Sequence, residues 1–148
     1  MNLNGTFHVT RLAIPHLKKS PAGVIIIMSS VAGRFGYANR SPYSTTKWGL
    51  IGFTKTLSIE LGRFKIRANA ILPGAVEGPR IDRVIEGRAK VTGRSVDEER
   101  ESALSTQSLK RFVDPKDIAA LAVFLASDAA KSISGQMIPI DNDAQMAS

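Results

Sequence analysis

The fold of this chain is decided by one stretch, Ser30-Val-Ala-Gly-Arg-Phe-Gly-Tyr-Ala-Asn-Arg-Ser-Pro-Tyr-Ser-Thr-Thr-Lys-Trp-Gly49. It follows an apolar run, Val24 to Met28, which predicts a buried strand. A loop with glycines at positions 33 and 36 comes next. Ser41-Pro42 then predicts a helix start, because serine is favoured at the N-cap and proline at the first helical position. The stretch therefore predicts a strand, a glycine-containing loop and a helix, in that order.

Two residues of the predicted helix, Tyr43 and Lys47, are four positions apart and share one face. A phenol has a pKa of about 10 and is a poor base at neutral pH. A nearby ammonium favours the phenolate and lowers that pKa. Ser30, at the carboxyl end of the strand, can donate a hydrogen bond to the same substrate oxygen. This arrangement favours proton transfer with a carbonyl or an alcohol, although a Tyr-x-x-x-Lys pair alone also fits a solvated lysine beside a half-buried tyrosine.

The complete set of motifs is more specific than the pair. With thirteen positions from Ser30 to Tyr43 (43 minus 30), it resembles the short-chain dehydrogenase/reductase family. Further matches are Asn2-Leu3-Asn4-Gly5 upstream and Asn69-Ala70-Ile71-Leu72-Pro73-Gly74 downstream. The resemblance covers nearly the whole chain. It implies an α/β, Rossmann-like doubly wound parallel sheet, of which this chain holds the C-terminal three strands with their flanking helices.

The resemblance also implies a role for each matching residue. Tyr43 is expected to be the general acid/base, and Lys47 to lower its pKa while holding the nicotinamide ribose. Ser30, rather than Ser29, is expected to orient the substrate oxygen. Asn2 matches the asparagine that supports a water-linked proton relay.

The expected cofactor is NAD or NADP, flanked by Pro73, Gly74 and the backbone of Val76. A threonine that the family often has in this segment is Gly78 here, so one hydroxyl contact is absent. The family's usual Asp-Gly-Gly near the C-terminus is Asp141-Asn142-Asp143.

The family's glycine-rich dinucleotide turn has no counterpart in this sequence, since Gly33 and Gly36 do not form a G-x-G-x-x-G that opens a helix. In the family this turn would precede Met1. We therefore expect residues 1–148 to be a single domain, the C-terminal portion of the fold, and a fragment that is inactive in isolation. The choice between NAD and NADP would then lie in the other half.

The amino-acid composition argues against several classes of function. Hydrophobic residues make up 43% and charged residues 22% of the 148, which is ordinary for a soluble globular protein. The absence of cysteine excludes disulfides and thiolate zinc sites, and His8 and His16 lack the spacing of a metal pair, so we expect no metal. No run is long enough for a membrane span and no signal peptide is visible, which favours a cytoplasmic protein. The net charge of +7 comes from dispersed residues without a nucleic-acid motif, so we expect no nucleic-acid partner.

The helix from Tyr43 to about Leu61 is apolar on more than one face. One stripe contains Leu50, Phe53, Leu57 and Leu61, and a second contains Trp48, Ile51 and Ile59. A helix that is apolar all round is normally buried on all sides. The second stripe therefore predicts a contact with another subunit in a homodimer or tetramer.

Residues 75–110 differ in character, since fourteen of these thirty-six residues are charged. Ser95 and Glu98 form a capping-box pattern, which predicts a short helix. We expect a mobile, substrate-side segment of short helices, although a plain solvated insertion is also consistent with this composition.

Two functions follow from these observations. The first is an oxidoreductase that transfers a hydride between a nicotinamide cofactor and a secondary alcohol or ketone, with Tyr43 as the general acid/base. The second is a truncated, non-catalytic interaction module that forms oligomers with full-length relatives through the Tyr43 to Leu61 helix.

Overall fold

The computed structural model describes residues 2–147, without the side chain of Asn2. Helices and strands alternate for most of the chain, with short 3-10 turns at Val31–Gly33 and Asp128–Ala130. The elements are α1 (Asn2–Leu17), β1 (Val24–Met28), α2 (Ser41–Gly62), β2 (Arg67–Pro73), α3 (Pro79–Thr92), α4 (Val96–Ser105), α5 (Pro115–Ala126) and β3 (Met137–Ile140).

The three strands form a parallel sheet in the order β1-β2-β3. Val24 lies opposite Arg67 at one end of the first pair, and Pro73 lies opposite Ile140 at the far end of the second. The central strand β2 is buried on both faces from residue 68 to residue 72, as a strand covered by helices on each side should be. The α/β class and the parallel three-stranded sheet predicted from the sequence are confirmed.

Two apolar clusters cover the two faces of the sheet because successive strand residues point to opposite sides. On one face Ile25 and Ile27 pack with residues of α2, and α1 adds partly buried residues. On the other face Ile71 and Leu125 pack together, with α5 above the sheet. The layers therefore place the N-termini of the helices near the carboxyl ends of the strands, which lie at one edge of the sheet.

Two residues bear on the ends of the long helices, Pro15 near the end of α1 and Ser41 at the start of α2. Helix α1 contains Pro15, which has no N–H to donate to the carbonyl of Arg11, and the helix ends two residues later at Leu17. The prediction that Ser41 caps α2 is wrong, because the cap is Arg40 and makes no side-chain hydrogen bond there. The amide of Ser44 donates to the carbonyl of Arg40 at 2.9 Å, which already includes Ser41 in the first helical turn.

Two other helices begin with a side-chain cap. Ser95 and Glu98 form the predicted capping box, with the Ser95 amide 2.7 Å from a carboxylate oxygen of Glu98. That backbone hydrogen bond lowers the pKa of the exposed Glu98 carboxyl. Asp114 caps α5 by accepting from the Lys116 amide at 2.8 Å.

Helices α3 and α4 occupy most of residues 75–110. The short helices predicted there are confirmed, and Ile85 and Ala103 are buried. The mobility of this segment stays a prediction.

The two faces of α2 are not divided as the sequence suggested. Ile51 is only 7% exposed and belongs to the core, so its assignment to the outward stripe is wrong. It is adjacent to Leu50, and a wide buried face accommodates both. Trp48 and Ile59 are 51% and 82% exposed and do form an outward face. Within residues 2–147, no helix is both long and apolar enough to cross a membrane.

Candidate active site

Polar residues gather where β1 ends. The amide of Ser29 donates to the carbonyl of Ile71 at 2.9 Å, which continues the pairing of β1 with β2 by one residue. Ser29 and Ser30 therefore leave the sheet at its carboxyl edge, as predicted. This is the edge at which open parallel sheets bind ligands.

The buried Ser29 has a structural partner. Its hydroxyl donates to the main-chain carbonyl of Lys47 at 3.0 Å, which links the strand to α2. Gly33 lies against the same two residues, and a Cβ on it would be 2.8 Å from the Ser29 Oγ and 2.9 Å from the Lys47 carbonyl oxygen. Only glycine allows the loop to approach α2 this closely.

Ser30 is half-buried and begins the Val31–Gly33 turn. Its Oγ accepts a hydrogen bond from the amide of Ala32 at 3.2 Å. Within the described residues its own O–H has no acceptor in hydrogen-bond geometry. Because a hydroxyl both donates and accepts, this O–H can be donated to a ligand while the turn remains intact.

Tyr43 and Lys47 lie in the first two turns of α2. The Lys47 Nζ is 5.6 Å from the centroid of the Tyr43 ring and donates to the carbonyl of Met28 at 3.2 Å. The Lys47 residue is 9% exposed. Burial lowers the pKa of the Lys47 ammonium, and the positive charge of Arg80 lowers that pKa further. The ammonium keeps two further N–H groups for a ligand, since lysine has three.

Pro73 and Gly74 come at the end of β2, at the same edge of the sheet. Gly74 donates from its amide to the Ile140 carbonyl at 3.0 Å. A Cβ at position 74 would lie 2.9 Å from the Cα of Asp141. The glycine is therefore required by the close approach of the chain after β3.

The backbone of Val76 has an unused donor. Val76 bridges Val113 in parallel, but the two hydrogen bonds of this bridge, both 2.9 Å, run from the Val113 amide to the Ala75 carbonyl and from the Glu77 amide to the Val113 carbonyl. The Val76 amide makes no hydrogen bond to any described residue and can donate to a ligand.

The residues that depart from the family pattern, Gly78 and the Asn142–Asp143 pair, all have a positive φ. Gly78, where a threonine is often found, has φ of 135° and caps α3. Asn142 and Asp143, in place of two glycines, both have φ of 56°. Left-handed backbone of this kind favours glycine, and among other residues asparagine and aspartate tolerate it best.

Asn2, the predicted relay residue, is the first residue of α1, but its side chain lies outside the described residues. Of the other predicted residues, the structure brings Tyr43 and Lys47 together and ties Lys47 to the strand end that carries Ser30. Sequence reasoning missed Arg80, whose charge acts on Lys47. Its position directly after Pro79, in the first turn of α3, gave no hint of this proximity.

The chain is similar to known proteins over nearly its whole length. The family model described as enoyl-(acyl carrier protein) reductase matches residues 1–142. D-beta-hydroxybutyrate dehydrogenase of Cupriavidus necator is 39% identical over 142 residues, which cover 95% of this chain and 55% of that protein. The chain thus spans about half the length of the curated relatives it matches.

Solved structures show the same fold. A short chain dehydrogenase family protein of Francisella tularensis superposes with a TM-score of 0.89 at 28% identity, over 95% of this chain and 57% of that one. The F189W variant of actinorhodin polyketide ketoreductase, in a crystal structure with NADPH, has a TM-score of 0.86 at 29% identity, over 96% and 55%. The chain belongs to the short-chain dehydrogenase/reductase family.

Proposed function

We propose that the protein is an oxidoreductase that transfers a hydride between NAD or NADP and a secondary alcohol or ketone. The observation that carries this proposal is the buried Lys47 ammonium, 5.6 Å from the Tyr43 ring at the carboxyl edge of the sheet. A cation held there offsets the negative charge that develops on the phenol oxygen while its proton is transferred.

Each side chain has one task in this mechanism. In reduction, the Tyr43 hydroxyl gives its proton to the substrate oxygen, and in oxidation the phenolate takes it back. The Ser30 O–H donates a hydrogen bond to the same oxygen, where negative charge develops. Asn2, at the start of α1, supports the return of the proton through water.

The described residues fit a nicotinamide cofactor through their free donors. The two remaining N–H groups of Lys47 suit ribose hydroxyls, and the free amide of Val76 suits the carboxamide, with Pro73 and Gly74 alongside. When bound, the cofactor supplies or accepts the hydride. NADPH accompanies the structurally similar ketoreductase, which supports this class of cofactor.

The test is Tyr43→Phe in the full-length protein. Loss of the proposed proton donor should reduce turnover by about 10²-fold or more. Titration calorimetry should show cofactor affinity almost unchanged, because the ring and Lys47 remain. Thr45→Ala, an exposed position on the same helix, is the control and should keep full turnover. Near-normal turnover of the Tyr43→Phe enzyme contradicts the mechanism.

We also propose that a second copy of the protein covers the outward face of α2. Trp48 and Ile59 are strongly exposed there, and outside the adjacent backbone of α2 no described atom lies within 4 Å of a Cβ at Gly52. Ile59→Lys should lower the mass measured by light scattering, whereas Glu60→Gln should not. An equal mass for both variants and the unaltered protein contradicts this interface.

The same exposed face supports the alternative, a non-catalytic module that joins oligomers of full-length relatives. This alternative predicts no binding of either nicotinamide cofactor, so the calorimetric titration separates the two functions. A cytoplasmic location stays a prediction.

A further inference from the structure

Helix α3 carries an arginine on its inward face. Ile81, Ile85 and Arg88 are spaced at four and three residues and so lie on one side of the helix. Ile85 is 1% exposed, and Arg88 is half-buried on the same stripe. Its Nη2 lies 3.5 Å from the hydroxyl of Tyr37, at the limit of a hydrogen bond. A cation on an apolar stripe is costly unless something satisfies it.

A second arginine approaches the same tyrosine. The guanidinium carbon of Arg40 is 5.9 Å from the centroid of the Tyr37 ring. The ion pairs among residues 2–147 join Arg34 to Asp141, Arg94 to Glu99 and Arg100 to Asp82. Neither Arg40 nor Arg88 has a carboxylate partner in that part of the chain.

Two guanidinium groups near one ring repel each other. Arg40 is exposed, whereas the half-burial of Arg88 removes some of the water that would screen its charge. An anion between them offsets both costs. Carboxylate and phosphate oxygens suit the planar fork of arginine, which can donate two parallel hydrogen bonds to them. The pair therefore has the chemistry of an anion site.

This pair lies next to the candidate active site. Tyr37 belongs to the loop between Ser30 and Tyr43, and Arg40 comes three residues before Tyr43. Arg80, on the same helix as Arg88, is close enough to lower the pKa of Lys47. Helix α3 therefore reaches the loop that precedes Tyr43 and the surroundings of Lys47.

We propose that the substrate is an anionic hydroxy or oxo compound whose carboxylate or phosphate is bound by Arg40 and Arg88. The proposal rests on the proposed function, since it assigns the far end of the molecule whose oxygen meets Tyr43. The reaction itself is unchanged by this assignment.

The test measures oxidation by the full-length protein, with NAD and with NADP, of two matched pairs of alcohols. One pair is 3-hydroxybutyrate and its methyl ester, and the other is sorbitol 6-phosphate and sorbitol. In at least one pair the anionic member should have a kcat/KM about 10- to 100-fold higher, as expected for charged hydrogen bonds. Whichever pair shows the difference identifies the anion as carboxylate or phosphate. Turnover of the neutral members at equal kcat/KM overturns the anion site and leaves the proposed function standing, whereas no turnover of any of the four overturns both.

Variants locate the site. Arg88→Gln and Arg40→Gln should each remove most of the preference, mainly by raising KM for the anion, while turnover of the neutral member stays within about threefold. Arg88→Lys keeps the charge and should keep part of the preference. Arg83→Gln, exposed on the same helix, is the control. An unchanged preference in both glutamine variants overturns the assignment to these arginines.

Discussion

The hydroxyl of Ser29 donates to the main-chain carbonyl of Lys47 at 3.0 Å, and this bond holds the end of β1 against α2. The Lys47 ammonium returns to the same strand by donating to the Met28 carbonyl at 3.2 Å. The lysine is thus fixed at both its backbone and its side chain. Its position near Tyr43 is a consequence of strand–helix packing as well as of helical spacing.

The two adjacent serines should separate stability from activity. Ser29→Ala removes a buried hydrogen bond and should lower the free energy of unfolding by about 1 kcal/mol. Ser30→Ala should leave stability nearly unchanged and reduce turnover by roughly 10²–10³-fold, as loss of one donor to a developing oxyanion does. Denaturant unfolding and steady-state kinetics on both variants check this. A larger loss of turnover in Ser29→Ala than in Ser30→Ala would mean that Ser29 is the residue that donates to the substrate oxygen.

Lys47→Arg tests the role of a compact cation. The guanidinium is larger and planar, so it cannot occupy the same buried place beside Tyr43 and donate to Met28 in the same way. We expect a large loss of activity, with alcohol oxidation beginning at higher pH. The measurement is the pH profile of kcat for oxidation. A profile that coincides with that of the unaltered enzyme would show that the lysine does not control the proton transfer.

Arg80→Ala should raise the pKa of the Lys47 ammonium, because it removes a nearby like charge. The rise should be partial, since burial is the larger cause of the lowered pKa and remains. Side-chain NMR titration of labelled lysines measures it, with Arg83→Ala as the control. An unmoved Lys47 titration in the Arg80 variant would exclude the electrostatic coupling.

The lowered pKa of Lys47 determines whether the stability of the folded protein rises or falls with pH. A lysine whose folded pKa is lowered binds fewer protons in the folded state than in the unfolded state, so stability rises with pH in that range. The cost of keeping the Lys47 ammonium charged is present below its folded pKa. It is relieved as the pH rises from that value toward 10.5, the ordinary value for lysine.

Gly78→Thr should not simply restore the hydroxyl contact that the family often has. The φ of 135° at this position is one that a β-branched residue rarely adopts, even though no described atom beyond the two chain neighbours lies within 4 Å of a Cβ there. We expect a loss of about 1–3 kcal/mol in unfolding free energy from backbone strain. Thermal unfolding measures it, with Gly36→Thr, whose Cβ is equally unobstructed and whose φ is not in the left-handed region, as the control. Equal melting temperatures for the two variants would contradict the strain.

Much of the site was predictable because it depends on local spacing. Residues four apart on a helix share a face wherever the helix packs, so Tyr43 and Lys47 could be paired from the sequence. The apolar run of β1 and the capping signals at Ser95 and Asp114 are equally local. The N-cap at Ser41 was mispredicted because the hydrogen bond from the Ser44 amide to the Arg40 carbonyl depends on how the preceding loop enters the helix, which local spacing does not determine.

The sequence by itself determined the element order, the parallel α/β class and the residue types at the ends of the strands, because hydrophobic periodicity and backbone preferences act over a few residues. Only the tertiary structure decided which serine holds the helix, which face of α2 takes Ile51, and which arginine acts on Lys47. Arg80 is 33 positions from Lys47 (80 minus 47), and Arg88 is 51 positions from Tyr37. Contacts at such separations arise from how α3 is placed relative to α2 and the loop before it, and no local pattern encodes them.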